Sequence, residues 1–141
     1  MRSPDPVIII HSLTQAIAAV RAAASANRPI VVASPPDAGG YVGPGWFGAA
    51  VTAARQAVPG ARFSALLDCG DNVGAALAAI RSEVEGVVFI GRPDVARRLA
   101  DIARQHRVRF ETERPAAALD LVEEFFASQE DIERRCVEFL R

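Results

Sequence analysis

The chain of 141 residues has no lysine; all sixteen of its basic residues are arginine. That absence excludes a Schiff base on a side-chain amine and a phosphate-loop lysine. Seventeen acidic residues bring the formal net charge to −1, so the electrostatic footprint of a general nucleic-acid binder is missing too. Cysteine is scarce. Cys69 and Cys136 stand far apart, with neither a metal-ligand spacing nor a disulfide framework, and two lone thiols suit a reducing, cytoplasmic setting. Aromatic residues make up 6% of the chain, with a single Trp and a single Tyr. Long apolar runs are absent, and nothing approaches the roughly 20 residues of a membrane span. Met1-Arg2-Ser3-Pro4-Asp5-Pro6 leads into an apolar run too short for a signal peptide. The expectation is a protein with no membrane segment and no nucleic-acid partner.

What is present is an ordinary globular composition, half hydrophobic and under a quarter charged. A chain of this length forms one domain, burying roughly 70% of its unfolded surface. Val7 to Ile10, Ile30 to Ala33 and Gly86 to Ile90 are short, wholly apolar runs, read as strands buried on both faces. Arg62 to Asp68 alternates Phe63, Ala65 and Leu67 with polar positions, and Val108 to Phe110 carries Arg109 inside it. Helices fall between these runs. Ser12 with Gln15 three residues on forms a capping box for the first. Pro59-Gly60 stops the second, which begins near Trp46. Asp71 or Asn72 caps the third, and the fourth starts near Asp94.

Five alternations of strand and helix predict an α/β fold: a single doubly wound, three-layer domain with a five-stranded parallel sheet. The partly polar third and fifth strands are the edge candidates, which gives the order 3-2-1-4-5, with 2-1-3-4-5 as the alternative. Residues 1–141 are read as one α/β domain in which 116–141 is a C-terminal helical extension, with a fresh N-cap at Ser128.

Ligands of such sheets bind at the carboxyl ends of the strands. Polar and glycine residues crowd that rim: His11 and Ser12; Ser34 to Gly45; Asp68, Cys69, Gly70, Asp71 and Asn72; Gly91, Arg92 and Asp94; then Glu113 and Arg114. The connection Ser34–Phe47 holds four of the ten glycines and both Tyr41 and Trp46. The candidate ligand-binding set is Ser12, Ser34, Asp37, Gly39, Gly40, Tyr41, Gly43, Gly45, Trp46, Asp71, Asn72, Gly91 and Arg92. His11, Asp68 and Cys69 are the candidates for chemistry: a general base, an orienting acid and a thiol at a helix N-terminus. No zinc site is predicted, although Asp37, Asp68 and Asp71 could hold Mg²⁺ with a phosphate. No particular cofactor is indicated.

Gly43-Pro44-Gly45-Trp46-Phe47-Gly48 resembles the G-x-G-x-x-G fingerprint of Rossmann dinucleotide sites, with Asp68 twenty residues beyond its last glycine. The resemblance covers about forty residues and implies a pyrophosphate at a helix N-terminus and Asp68 on a ribose hydroxyl. It departs from the pattern because Pro35 to Val42 separate the glycines from the strand, and two aromatics fill the variable positions.

Two functions follow as expectations. The first is binding of a small anionic or nucleotide-like molecule at the rim. The alternative is a non-catalytic interaction module, dimerising or binding a partner through its aromatic loop and C-terminal helix. The apolar stripe Ile132, Cys136, Phe139 and Leu140 is the face offered to a twin.

Overall fold

The computed structural model describes residues 4–116 and 118–141. The chain folds into a parallel α/β sheet of six strands flanked by helices. In chain order these are β1 (Val7–Ile9), α1 (Leu13–Ala26), β2 (Ile30–Ala33), α2 (Ala38–Tyr41), α3 (Pro44–Ala57) and β3 (Phe63–Asp68). Then come α4 (Val73–Arg81), β4 (Gly86–Val88), α5 (Pro93–Gln105), β5 (Arg109–Glu111), β6 (Ala118–Asp120), a 3-10 turn (Val122–Glu124) and α6 (Gln129–Leu140). No helix among the described residues is long and apolar enough to cross a membrane.

The strand order is β5-β4-β3-β2-β1-β6, which replaces both expected orders, and the sheet has six strands rather than five. Two local facts explain the difference. The polarity of β3 lies at its ends, where Ser64 is half-buried and Asp68 is held by partners, while Ala65, Leu66 and Leu67 are at most 1% exposed. It is therefore a central strand. The sixth strand comes from Ala118-Leu119-Asp120, in the segment expected to be helical; its place beside β1 overrides a helix-compatible sequence. By density of packing the chain divides into two compact units, one from residues 1–33, 50–64 and 116–141, the other from 34–49 and 65–115.

In the first unit β1 lies between β2 and β6, with Ile8 opposite Val32 on one side and Leu119 on the other. α1 starts at Ser12, whose hydroxyl accepts the Gln15 N–H at 3.1 Å, and stops at Asn27 in the left-handed region (φ 52°). Its buried side is mostly alanine: Ala16, Ala18, Ala19, Ala22 and Ala23, with Val20. Such small side chains let α6 come close, and Ile132, Cys136 and Leu140 are buried there at 0–1% exposure. Burying an Ile or Leu side chain contributes on the order of 2 kcal/mol. Arg28 Nη1 donates to the Leu140 carbonyl at 2.6 Å, satisfying the end of α6 with a cation, as its dipole favours. Of the stripe offered to a twin, Ile132, Cys136 and Leu140 are thus covered within the chain, and Phe139 is half-buried. Ser128 caps α6 as expected, accepting from Asp131 N at 3.1 Å.

In the second unit β3, β4 and β5 run parallel, with Leu67 opposite Val87 and Val87 opposite Phe110. Leu66, Leu67, Ile80, Val87 and Phe89 form its buried centre, and Phe89 and Phe110 meet at 6.3 Å between rings. Asn72 caps α4 through a 2.9 Å bond from Ala75 N, and Pro93 opens α5.

Candidate functional site

Each unit carries one polar cluster where strands end. In the second unit the cluster centres on Asp68, the last residue of β3, whose side chain is 7% exposed. Its Oδ1 accepts from Gly70 N at 2.9 Å, Asp37 N at 3.0 Å and Arg114 Nη2 at 3.2 Å. Its Oδ2 accepts from Arg114 Nε at 2.7 Å. The Asp68 N–H donates to Ser34 Oγ at 2.8 Å. Arg114 also reaches Asp37 Oδ1 at 3.3 Å. Its hydrogen bond to Asp68 keeps the guanidinium charge even more firmly than usual. The backbone accommodates this knot in two unusual places. Asp37 takes a left-handed conformation (φ 65°), as does Gly70 (φ 56°), where any Cβ would overlap Asp37 Oδ1.

This arrangement changes the role of several expected site residues. Asp68 is no free acid for a ribose hydroxyl, since both its oxygens are filled by the protein's own donors. Cys69 is buried against Gly39, where a Cβ would come within 2.6 Å of Sγ. Burial first, and Asp68 second, push its thiol up from 9.0 to about 12. That is the reverse of what a nucleophile needs, and the residue serves packing. Among the described residues no group of three or more His, Cys, Asp or Glu side chains is placed to hold a metal.

The glycine motif is not in fingerprint context either. α2 stands between β2 and the motif, Gly43 turns the chain at φ 89°, and Gly45 and Gly48 lie inside α3. A Cβ at Gly45 or Gly48 would meet nothing within 4 Å, so no close approach of backbone requires either glycine. Trp46 is half-buried, Phe47 is buried, and Tyr41 is 66% exposed. Gly40 lies against Asn72, which is occupied as a cap, and Asp71 is exposed. Gly91 packs on the ring of Phe89, while Arg92 is paired with Asp94 at 3.0 Å on the surface.

In the first unit the cluster joins the ends of β1 and β6, where the strand order reverses. His11 Nε2 and Asp120 Oδ1 are 2.6 Å apart, with side chains 18% and 44% exposed. The same oxygen accepts from Val122 N at 3.0 Å, which fixes the carboxylate. Gln15, fully buried, organises the site. Its Oε1 accepts the His11 N–H at 2.7 Å and its Nε2 donates to the Leu121 carbonyl at 2.8 Å. In a usual capping box this side chain would return to the cap residue itself; here it reaches one residue further back. With Nε2 held by a carboxylate, that nitrogen carries the proton, and Nδ1 has no hydrogen-bond partner among the described residues. Among the described residues of this unit, the exposed large apolar side chains belong to the segments leaving β1 and β6: Leu13, Val122, Phe125 and Phe126.

Sequence reasoning named His11 and Ser12 here but missed Asp120, and in the other unit it left Arg114 and Gly70 outside the ligand set. His11 and Asp120 are 109 positions apart, and Asp68 and Arg114 are 46 apart. Only Ser12-x-x-Gln15 gave a local signal.

No protein-family model matches this chain, and no curated protein does. Solved structures match it in fold. One, provisionally designated a fructose-1,6-biphosphate aldolase from Coccidioides immitis, superposes with a TM-score of 0.65 at 14% identity, over 94% of this chain and 52% of that one. Another, provisionally designated a tagatose 6 phosphate kinase from Sinorhizobium meliloti 1021, gives 0.57 at 18% identity, over 98% and 45%. This chain spans about half the length of these two neighbours. At such identities the likeness is one of fold, an α/β domain with a parallel sheet.

Proposed function

We propose that this α/β domain binds a small anionic ligand at the carboxyl ends of β1 and β6, with His11 as the group that meets it. The observation that carries the reading is the 2.6 Å His11–Asp120 pair, half-open to solvent, with Nδ1 left free. A neutral ring presents Nδ1 as a base that shares an acidic proton of the ligand; a protonated ring presents an N–H donor. The start of α1 supports the same choice. No acidic residue occupies its first turn, so its amides and dipole favour negative charge beside His11. The Asp68 cluster suits a ligand less well, since its amide and guanidinium donors are already engaged on the Asp68 carboxylate. Both fold neighbours are named for phosphorylated sugars, which makes phosphate a sensible first probe.

The test is a titration of isotope-labelled protein with inorganic phosphate, followed by NMR. Shifts confined to residues 11–15 and 120–122, and weakened at least fivefold in His11→Gln, are expected. No shift in the tens-of-millimolar range, or shifts at 34–45 instead, would refute the placement.

A further inference from the structure

We propose that the chain forms a two-fold dimer by pairing β5 with the β5 of a second copy, edge to edge and antiparallel. The strand closes one end of the sheet order, so among the described residues its outer side has no strand beside it. Its inner side is bonded to the β4 segment. Arg109 N donates to Glu85 O at 3.0 Å, and Glu111 O accepts from Phe89 N at 2.9 Å. Backbone groups alternate in direction from one residue of a strand to the next. Those of Phe110 therefore point to the open edge, followed on the same side by the Thr112 N–H. Such an edge is a template for a further strand.

The order of charges along the strand selects the occupant. Residues 107–113 read Arg-Val-Arg-Phe-Glu-Thr-Glu, two cations and two anions about a central phenylalanine. A charged edge ordinarily deters a like edge. Here the sign reverses at Phe110. A parallel copy in register would set Arg against Arg, whereas a copy turned about a two-fold axis at Phe110 sets each Arg against a Glu. In that register Arg109 faces the partner's Glu111, and Arg107 faces the partner's Glu113. Arg109 and Glu111 share one face of the strand, 2.7 Å apart at Nε and Oε1, with side chains 48% and 39% exposed. Phe110 turns to the other face, against Phe89. Arg107 and Glu113 are exposed, and neither side chain has a partner among the described residues. A single copy leaves that outer pair of charges unmatched.

The backbone fits the same register. Phe110 opposite the partner's Phe110 is a hydrogen-bonded pair, each N–H donating to the other carbonyl. Arg109 opposite the partner's Glu111 is then a non-hydrogen-bonded pair, with about 4.5 Å between Cα atoms and the side chains at their closest. The Thr112 N–H meets the partner's Val108 carbonyl, while the Val108 N–H is already taken by Ala103 O at 2.9 Å. A slip of one residue would lose every opposite-charge pair. The contact is isologous, so it closes at two copies and leaves neither β5 free for a third.

Sedimentation velocity of the full chain over about 5–500 µM, the range of a small polar interface, measures the association. A dimer that grows with concentration is expected, and amide exchange at Phe110 and Thr112 should slow as it fills. Two variants test the register. Arg107→Glu with Arg109→Glu makes an all-acidic edge, and Glu111→Arg with Glu113→Arg makes an all-basic one. Each alone should dimerise about tenfold or more weakly than the parent, and their equal mixture should form a one-to-one heterodimer. Circular dichroism checks that both variants fold. A parent that stays monomeric, or that dimerises with exchange at Phe110 and Thr112 unchanged, overturns the proposal without recourse to the variants. Folded variants that self-associate as the parent does, or a mixture that stays monomeric, overturn it too.

Discussion

Raising the pH from 8 to 11 tests the two buried thiols of a chain that has no lysine. Burial pushes Cys69 and Cys136 each from 9.0 to about 12 in the folded chain. The folded state keeps protons that the unfolded chain gives up, so stability is complete below pH 9 and falls as pH climbs toward 12. By pH 11 each thiol should cost on the order of 2–3 kcal/mol. The two together approach the roughly 5–15 kcal/mol total stability of a typical domain. Urea unfolding under reducing conditions at half-unit steps from pH 8 to 11 measures this directly. The midpoint should fall steeply above pH 9.5. In Cys69→Ala with Cys136→Ala it should start lower, by about 1–2 kcal/mol for the lost packing, and stay nearly level. Parallel pH curves for the two proteins would refute the reasoning. So would thiolate absorbance at 240 nm that appears in the folded protein with a midpoint near 9.

Other consequences are open to measurement. Asp68→Asn keeps an acceptor for the amides of Asp37 and Gly70 but sets an NH₂ group against Arg114, and about 2 kcal/mol of stability should be lost. Arg114→Met should cost about 1–2 kcal/mol in the parent, reduced by the exposure of the guanidinium, and less than half of that in the Asp68→Asn background. Additive losses in that cycle would mean the pair is uncoupled. Gln15→Leu leaves the His11 N–H without a partner and the Leu121 carbonyl with the Glu124 N–H alone, and a loss of about 1–3 kcal/mol is expected by chemical denaturation. A variant as stable as the parent would show that Gln15 is not the link between β1 and β6. Gly48→Ala should raise stability by about 0.5–1 kcal/mol, because the site is helical with room for a methyl group. A fall in melting temperature would show that the glycine is needed after all.

The α/β class and most element positions were legible because buried apolar runs and helix caps are local signals. Ser12, Asn72 and Ser128 act as caps, each within reach of a backbone N–H three residues on. Strand order was not legible, since it depends on which runs meet across the sheet. Judging edges by polarity misled at β3, whose charge sits at its last residue and is neutralised by an arginine 46 positions away. β6 escaped because three residues of Ala-Leu-Asp carry no strand pattern; its backbone pairing with β1 supplies what its propensity lacks. The glycine motif misled in the other direction, as its spacing fitted a phosphate loop while two of its glycines lie within a helix. His11 was legible as a candidate by its position after a strand, but the carboxylate that orients it was not.

The pairing of β1 with β6 also sets a schedule for synthesis. β1 leaves the ribosome about 110 residues ahead of the strand that covers its free edge, and α1 precedes the helix that shields its alanine face by a similar interval. At about 5–20 residues per second, that edge and face wait roughly 6–20 s for their partners. An uncovered strand edge is a template for pairing with other chains. A nascent chain stalled between residues 60 and 115 should therefore lean on holding chaperones, and release from them should coincide with emergence of residues 118–140.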